Sequence, residues 1–217
     1  MAGIALFDLD RTLLGCNSAT LWVKRQVREG KMSRFEAAKM ALMIGAYQLG
    51  MGDVDDGVRD AIRSLRGQSE AAIRAETELF WAEEVAHRIR PGAEAALQHH
   101  RDLGEPIYLL TGSSTYLSAC VTEVLDLDGV ICTVFDVEEG IFTGEGAVCY
   151  GRNKVTAAEP VLQEAGVTFG DCAFYTDSYT DRFVLERVGR PVAVHPDPRL
   201  ARLARKRGWP VENWGEA

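Results

Sequence analysis

The chain has 217 residues, 47% hydrophobic and 26% charged, enough for one domain with an insertion or for two very small ones, and unlike a disordered or fibrous chain. A formal charge of −8, from 24 basic and 32 acidic residues, repels a phosphate backbone and argues against nucleic-acid binding. The longest apolar candidate, Met40 to Tyr47, falls well short of the ~18 residues a membrane helix needs, so no integral membrane segment is expected.

The N-terminus runs directly into an apolar stretch, with no basic leader or cleavage pattern. Cys16, Cys120, Cys132, Cys149 and Cys172 are odd in number and widely spaced. That pattern fits a cytoplasmic, reducing setting and neither a disulfide framework nor a zinc site.

The first predicted strand is Ile4 to Phe7, which ends at once in Asp8, Leu9 and Asp10. From Leu14 to about Arg88 only helical periodicity follows, over Trp22 to Glu29, Arg34 to Leu49, Val54 to Leu65 and Ser69 to His87. That is too long for a single crossover and reads as a helical insertion. A helix from Pro91 to Leu103 leads to a strand, Pro106 to Leu110, which ends at Thr111-Gly112-Ser113-Ser114. A helix over Ser114 to Leu125, a strand over Val130 to Thr133 and a small hairpin around Glu138-Glu139-Gly140 come next. The pattern closes with a helix from Lys154 to Ala165, a strand from Cys172 to Tyr175 ending at Thr176-Asp177-Ser178, a helix from Tyr179 to Val188, and a strand from Pro191 to Val194. Such alternation predicts an α/β fold with a Rossmann-like, doubly wound parallel sheet. Ligands bind such sheets beyond the carboxyl ends of the strands, where three of these five strands carry polar clusters.

Four clusters carry chemistry. In extended chain Asp8 and Asp10 share a face, and two close carboxylates repel unless a cation or a proton intervenes. Mg²⁺ prefers such oxygen ligands, and a carboxylate can itself attack phosphorus. Thr111 and Gly112 offer a hydroxyl and an N–H to an anion, although a plain helix cap by Ser113 or Ser114 explains the same residues. Lys154 opens a helix as a point charge for phosphate, with Arg152 as a rival. Asp177 and Asp181 lie one helical turn apart, on the same side.

The order DxDxT after a strand, TGS after a strand, a helix-opening lysine and DSxxD after a strand resembles the haloacid dehalogenase-like (HAD) superfamily. The insertion after the first motif is similar to its phosphoserine-phosphatase-like branch, and the segment Arg190 to Leu200 with Arg207 to Pro210 looks like the bacterial HAD-IB subgroup. The resemblance implies a catalytic core over residues 1–14 and 89–217, with a mobile helical cap over 15–88. It implies a Mg²⁺-dependent phosphatase acting on a small phosphorylated metabolite, with Asp8 as nucleophile and Asp10 as acid and base. Asp8, the carbonyl of Asp10 and Asp177 would hold the metal, and Asp181 would support it. Thr111, Gly112 and Lys154 would hold the phosphate. A phosphotransferase, a lysophosphatidate-type lipid phosphatase and a non-catalytic phosphate-ligand-binding protein are the alternatives.

Two departures bear on the substrate. Thr176 stands where many relatives carry glycine, which narrows the approach to the metal. Asn17 stands where phosphoserine phosphatases carry a glutamate for the substrate ammonium, and a neutral amide lacks that attraction. Arg59, Arg63 and Arg66 are cap candidates for a substrate carboxylate. The stripe Phe35, Met40, Met43, Ile44, Tyr47 and Leu49 reads as the cap's own core, or as a surface for a lipid-like leaving group. His99 and His100 read as helix-end charges, His195 as a site-edge candidate, and Trp209 and Trp214 as tail anchors.

Overall fold

A computed structural model describes residues 3–38 and 54–216. Seven strands form one sheet in the order β4-β3-β2-β1-β5-β6-β7, where β1 is Ala5–Phe7, β2 Ile107–Ser114, β3 Gly129–Glu138, β4 Ile141–Ala147, β5 Ala173–Thr176, β6 Arg190–Val194 and β7 Val211–Glu212. All neighbours run parallel except the β3–β4 hairpin. Among the helices are α1 (Ser18–Arg28), α2 (Val54–Ser64), α3 (Glu70–Phe80), α4 (Pro91–Asp102), α5 (Thr115–Val124), α6 (Asn153–Glu164), α7 (Arg182–Leu185) and α8 (Pro198–Arg207); residues 34–38 are also helical, and the rest of the helix expected over Arg34 to Leu49 lies outside the described residues.

Side-chain alternation along β1 builds two cores at once. Ala5 and Phe7 join Leu109, Tyr175 and Val194 under α4 and α5, while Ile4 and Leu6 join Leu110, Phe174 and Ala193 under α6, α7 and α8. With both faces covered, the central strands are uninterrupted apolar runs, as a parallel sheet requires.

The insertion leaves the core at Leu14 and returns at Ile89, and these two residues pair as an antiparallel bridge. Phe80 and Trp81, at the end of α3, are buried in the same cluster as Leu13 and Leu117, so the cap shares apolar packing with the sheet layer. Its loop before α3 also pairs with the hairpin, since Gly67 N–H donates to Phe142 O and Glu70 N–H to Gly140 O, both at 2.9 Å.

Several details differ from the sequence reading. The expected helix over Tyr179 to Val188 is one tight turn followed by the four-residue α7. α8 and β7 carry no strong apolar signal and are absent from the reading. The periodicity over Ser69 to His87 breaks at Trp81, where a widened turn to Val85 interrupts it. Of the apolar stripe, Phe35 is exposed and so is not part of a cap core, while Met40, Met43, Ile44, Tyr47 and Leu49 lie outside the described residues.

Candidate active site

Strand ends at one edge of the sheet deliver the four clusters. β1 stops at Asp8, whose N–H donates to Tyr175 O on β5 at 2.9 Å. The chain then makes a tight turn over Leu9 to Leu13, in which Asp10 leaves helical geometry and Arg11 takes φ 61. That conformation is unusual for a residue with a side chain, and here it reverses the chain between the two aspartates and the cap. The Asp10 carboxylate accepts Ser18 N–H at 2.7 Å and Ser18 O–H at 3.1 Å. Thr12, fully buried, accepts Asp177 N–H at 3.0 Å and so ties β1's turn to β5's.

Lys154 enters from the start of α6, and its ammonium is buried. It donates to Asp8 Oδ1 and to Asp181 Oδ2, each at 2.7 Å. Asp181 Oδ2 also accepts the Thr176 hydroxyl at 2.7 Å. Asp181 therefore seats the lysine. Thr176 is fully buried, with its hydroxyl on Asp181.

The phosphate-type loop lies where the β2–β3 register shifts between Leu110 and Ser114, a bulge that lifts Thr111 to Ser113 out of the ladder. Thr111 Oγ1 accepts Ser113 N–H at 3.1 Å, and Thr133 O–H fixes Gly112 O at 2.9 Å. Space at Gly112 is tight, because a Cβ there would meet the Tyr150 ring at 3.0 Å and the ring would have to shift. Ser114, not Ser113, caps α5.

Electrostatics follow from burial. Asp8 is pushed up to about 7, chiefly by desolvation, with Lys154 pulling down and Asp181 pushing up. Asp177 is raised well above the carboxylate range by burial and by the charges of Asp8 and Asp181. Asp10 is raised by burial against the two Ser18 bonds. Lys154 is held above its ordinary value: burial opposes its charge, but Asp181 and Asp8 more than offset it. Among the described residues no three His, Cys, Asp or Glu side chains form a ready metal cage. What exists is a pair of hard carboxylates, Asp8 and Asp177, whose charged forms repel. That donor set fits one oxygen-seeking dication.

Of the cap candidates, Asn17 stands beside Ser18, which bonds Asp10, whereas Arg59, Arg63 and Arg66 lie toward the hairpin. Asn17 caps α1, its Oδ1 accepting Thr20 N–H at 2.9 Å and Thr20 O–H at 2.7 Å. Arg63 pairs with Asp60, and Arg66 with Glu145 of β4. Arg59 and Arg63 border a shallow depression against Gly144 and Gly146. β4 is an edge strand three places from β1, about 14 Å at the usual strand spacing, so these arginines belong to the hairpin side. His100 is no surface helix-end charge: it is buried between Glu105 at 2.6 Å and Tyr175 O–H at 3.0 Å. His195 accepts Trp214 N–H at 2.8 Å.

Sequence reasoning gave no part to Ser18, Thr12 or Thr133. The only available signal was a hydroxyl residue within or beside each motif, which on its own is common at any helix start.

Residues 5–186 match the model of the haloacid dehalogenase-like hydrolases. A phosphoserine phosphatase, SerB1, of Mycobacterium tuberculosis is 31% identical over 220 residues, covering 99% of this chain and 71% of the relative. A histidinol-phosphatase of Neisseria meningitidis is 28% identical, over 99% of this chain and 100% of its own. Among solved structures, a Bordetella pertussis protein of unknown function superposes with a TM-score of 0.87 at 27% identity, covering 99% and 100% of the two chains. A phosphoserine phosphatase carrying a phospho-aspartyl analogue gives a TM-score of 0.72 at 16% identity over 99% and 94%, a likeness of fold alone. The chain belongs to the haloacid dehalogenase-like hydrolase family. Within it, the phosphatase-named relatives make the chain a phosphomonoesterase.

Proposed function

We propose that the protein is a Mg²⁺-dependent phosphatase that hydrolyses a small phosphomonoester through an aspartyl-phosphate on Asp8. The observation that carries this reading is the buried Lys154 ammonium, 2.7 Å from both Asp8 and Asp181 and grouped with Asp177. A cation so placed offsets charge on the attacking carboxylate and on the phosphoryl group that arrives there.

Asp8, Asp177 and the main chain of Asp10 are the groups that would hold the metal. When bound, it supplies charge neutralisation to the carboxylates and to the phosphoryl oxygens. Asp8 Oδ1 is engaged by Lys154, whereas Oδ2 has only Thr12 O–H at 3.5 Å, so Oδ2 is the oxygen available to attack. As its bond to phosphorus forms, the ester P–O bond breaks, and the leaving alkoxide takes the Asp10 proton. The raised affinity of Asp10 for a proton suits that donation. A water then attacks the aspartyl-phosphate and gives its proton to Asp10. The phosphorus–Asp8 bond breaks, releasing phosphate and restoring both aspartates. Thr111 and Gly112 hold phosphoryl oxygens from the bulge at the end of β2.

The substrate is a small phosphorylated metabolite of the amino-acid type. Histidinol phosphate stands ahead of phosphoserine, because it lacks the carboxylate that Arg63 and Arg66, already paired with Asp60 and Glu145, would have to meet. The test is phosphate release from an aryl phosphate with MgCl₂, then from histidinol phosphate, phosphoserine, sugar phosphates and lysophosphatidate. EDTA and Asp8→Asn should each abolish turnover. Full activity in Asp8→Asn would overturn the mechanism, and a clear preference for phosphoserine would overturn the ranking.

A further inference from the structure

Arg90 immediately follows the hinge bridge between Leu14 and Ile89. Its N–H donates to Leu13 O at 2.8 Å, and its guanidinium is buried. Nε donates to Arg11 O at 3.3 Å, and Nη1 donates to Gly215 O. Both side-chain partners are thus main-chain carbonyls. The acids that act on it, Asp177 and Glu216, do so through the field, while burial lowers its proton affinity. Burying a guanidinium without a carboxylate on it is costly, so a cation kept here has a use for its position.

That position joins two otherwise separate parts of the chain. On one side is the left-handed peptide of Arg11, which links Asp10 to the rest of the turn. On the other is the C-terminal tail, seated by contacts of its own. Trp214 is buried against Phe7 and Tyr175, and its carbonyl accepts Gly92 N–H at 2.9 Å. A Cβ at Gly92 would come within 2.7 Å of Trp214, so the helix start is cut to the shape of the tail.

We propose that Arg90, seated by the C-terminal tail, is a positioning residue for the catalytic turn: its guanidinium holds the Arg11 peptide in its left-handed form and so aims Asp10. The reading of Asp10 as the acid comes from the proposed function; the hold on the turn does not. A chain shortened to end at Asn213 removes Gly215 O from the guanidinium and Trp214 from Phe7 and Tyr175, whereas Arg90→Met keeps Trp214 and isolates the guanidinium. Small displacements of a proton donor cost on the order of 100-fold in rate.

The experiment compares the full chain, the shortened chain, Arg90→Met and Arg90→Lys, each well below its own melting temperature, with an aryl phosphate and MgCl₂. The expected result is a kcat loss of about 30- to 100-fold in the shortened chain and in Arg90→Met. KM should stay within about threefold, and Arg90→Lys should recover part of kcat by reaching one carbonyl. Amide hydrogen exchange gives a second readout that needs no turnover. Ser18 N–H, bonded to Asp10, should exchange faster in both impaired variants, and in Arg90→Met, which keeps Trp214 on Tyr175, amides in β5 keep their protection. A folded shortened chain with unchanged kcat, or KM and kcat falling together with general loss of protection, overturns the proposal. If the full chain itself hydrolyses no ester, the proposed function fails, and Ser18 exchange alone still decides what Arg90 holds.

Discussion

Replacing Lys154 by methionine removes one charge from the most buried part of the site and keeps nearly the same volume. The ammonium makes two ion pairs of 2.7 Å in a setting where Lys154 and Asp181 are each 2% exposed. Taking one partner from a buried ion pair costs about 3–5 kcal/mol. For a chain of this length each kcal/mol lowers the melting temperature by roughly 2–4 °C, so Lys154→Met should melt about 6–20 °C lower at pH 8 without metal. The loss should depend on pH. Asp8 titrates at about 7 in the native protein, so at pH 5 it already carries a proton and needs the lysine less. The gap between wild type and variant should therefore narrow on acidification. Thermal melts at pH 8 and pH 5, with steady-state hydrolysis at pH 7.5, test this. The expected kcat loss is on the order of 100- to 1,000-fold, as for other preorganised charge donors. A melting temperature that falls equally at both pH values would refute the assignment of the ammonium as the cluster's counter-charge.

The raised Asp8, Asp10 and Asp177 bind protons more tightly folded than unfolded, so their contribution to metal-free stability should fall as pH rises from about 4 to 7. MgCl₂ at 100 times its dissociation constant should add about 2.7 kcal/mol, read as a melting shift that Asp177→Asn removes. His100 behaves oppositely. Burial lowers its proton affinity, so its contribution is intact above pH 6.5 and lost as pH falls below it; Glu105, lowered by Arg190 and His100 against burial, adds a loss at lower pH still. The stability advantage of wild type over His100→Gln, measured by urea midpoints, should shrink below pH 6.5. Asn17→Ala should cost about 1 kcal/mol as a lost helix cap, with kcat on an aryl phosphate within about twofold of wild type; a large kcat loss would return Asn17 to the substrate.

The central fold was legible because both sheet faces are covered, which leaves strands such as Ile4 to Phe7 and Cys172 to Tyr175 as unbroken apolar runs. The motif residues were legible because strand ends must carry them. β7 was not, since two residues cannot show a period, and α8 hides its apolar Leu200 and Ala204 among arginines. The cap residues were less legible for a related reason. Asn17 and the arginines have several physical uses, and the sequence alone does not choose among them: Asn17 bonds Thr20 three positions on and Arg63 bonds Asp60, while Arg66 meets Glu145 from far along the chain. His100 shows the same limit, as nothing local announces that Tyr175, 75 positions away, supplies its partner.

The two borders of the sheet are both guarded. At one side β4 would leave an open row of donors and acceptors, but the stretch from Gly67 to Glu70 occupies its first residues, through Gly140 to Phe142. At the other, β7 is only two residues long, too brief to template a stranger's strand. The inserted segment thereby covers part of an exposed sheet border, a use separate from any part in substrate selection.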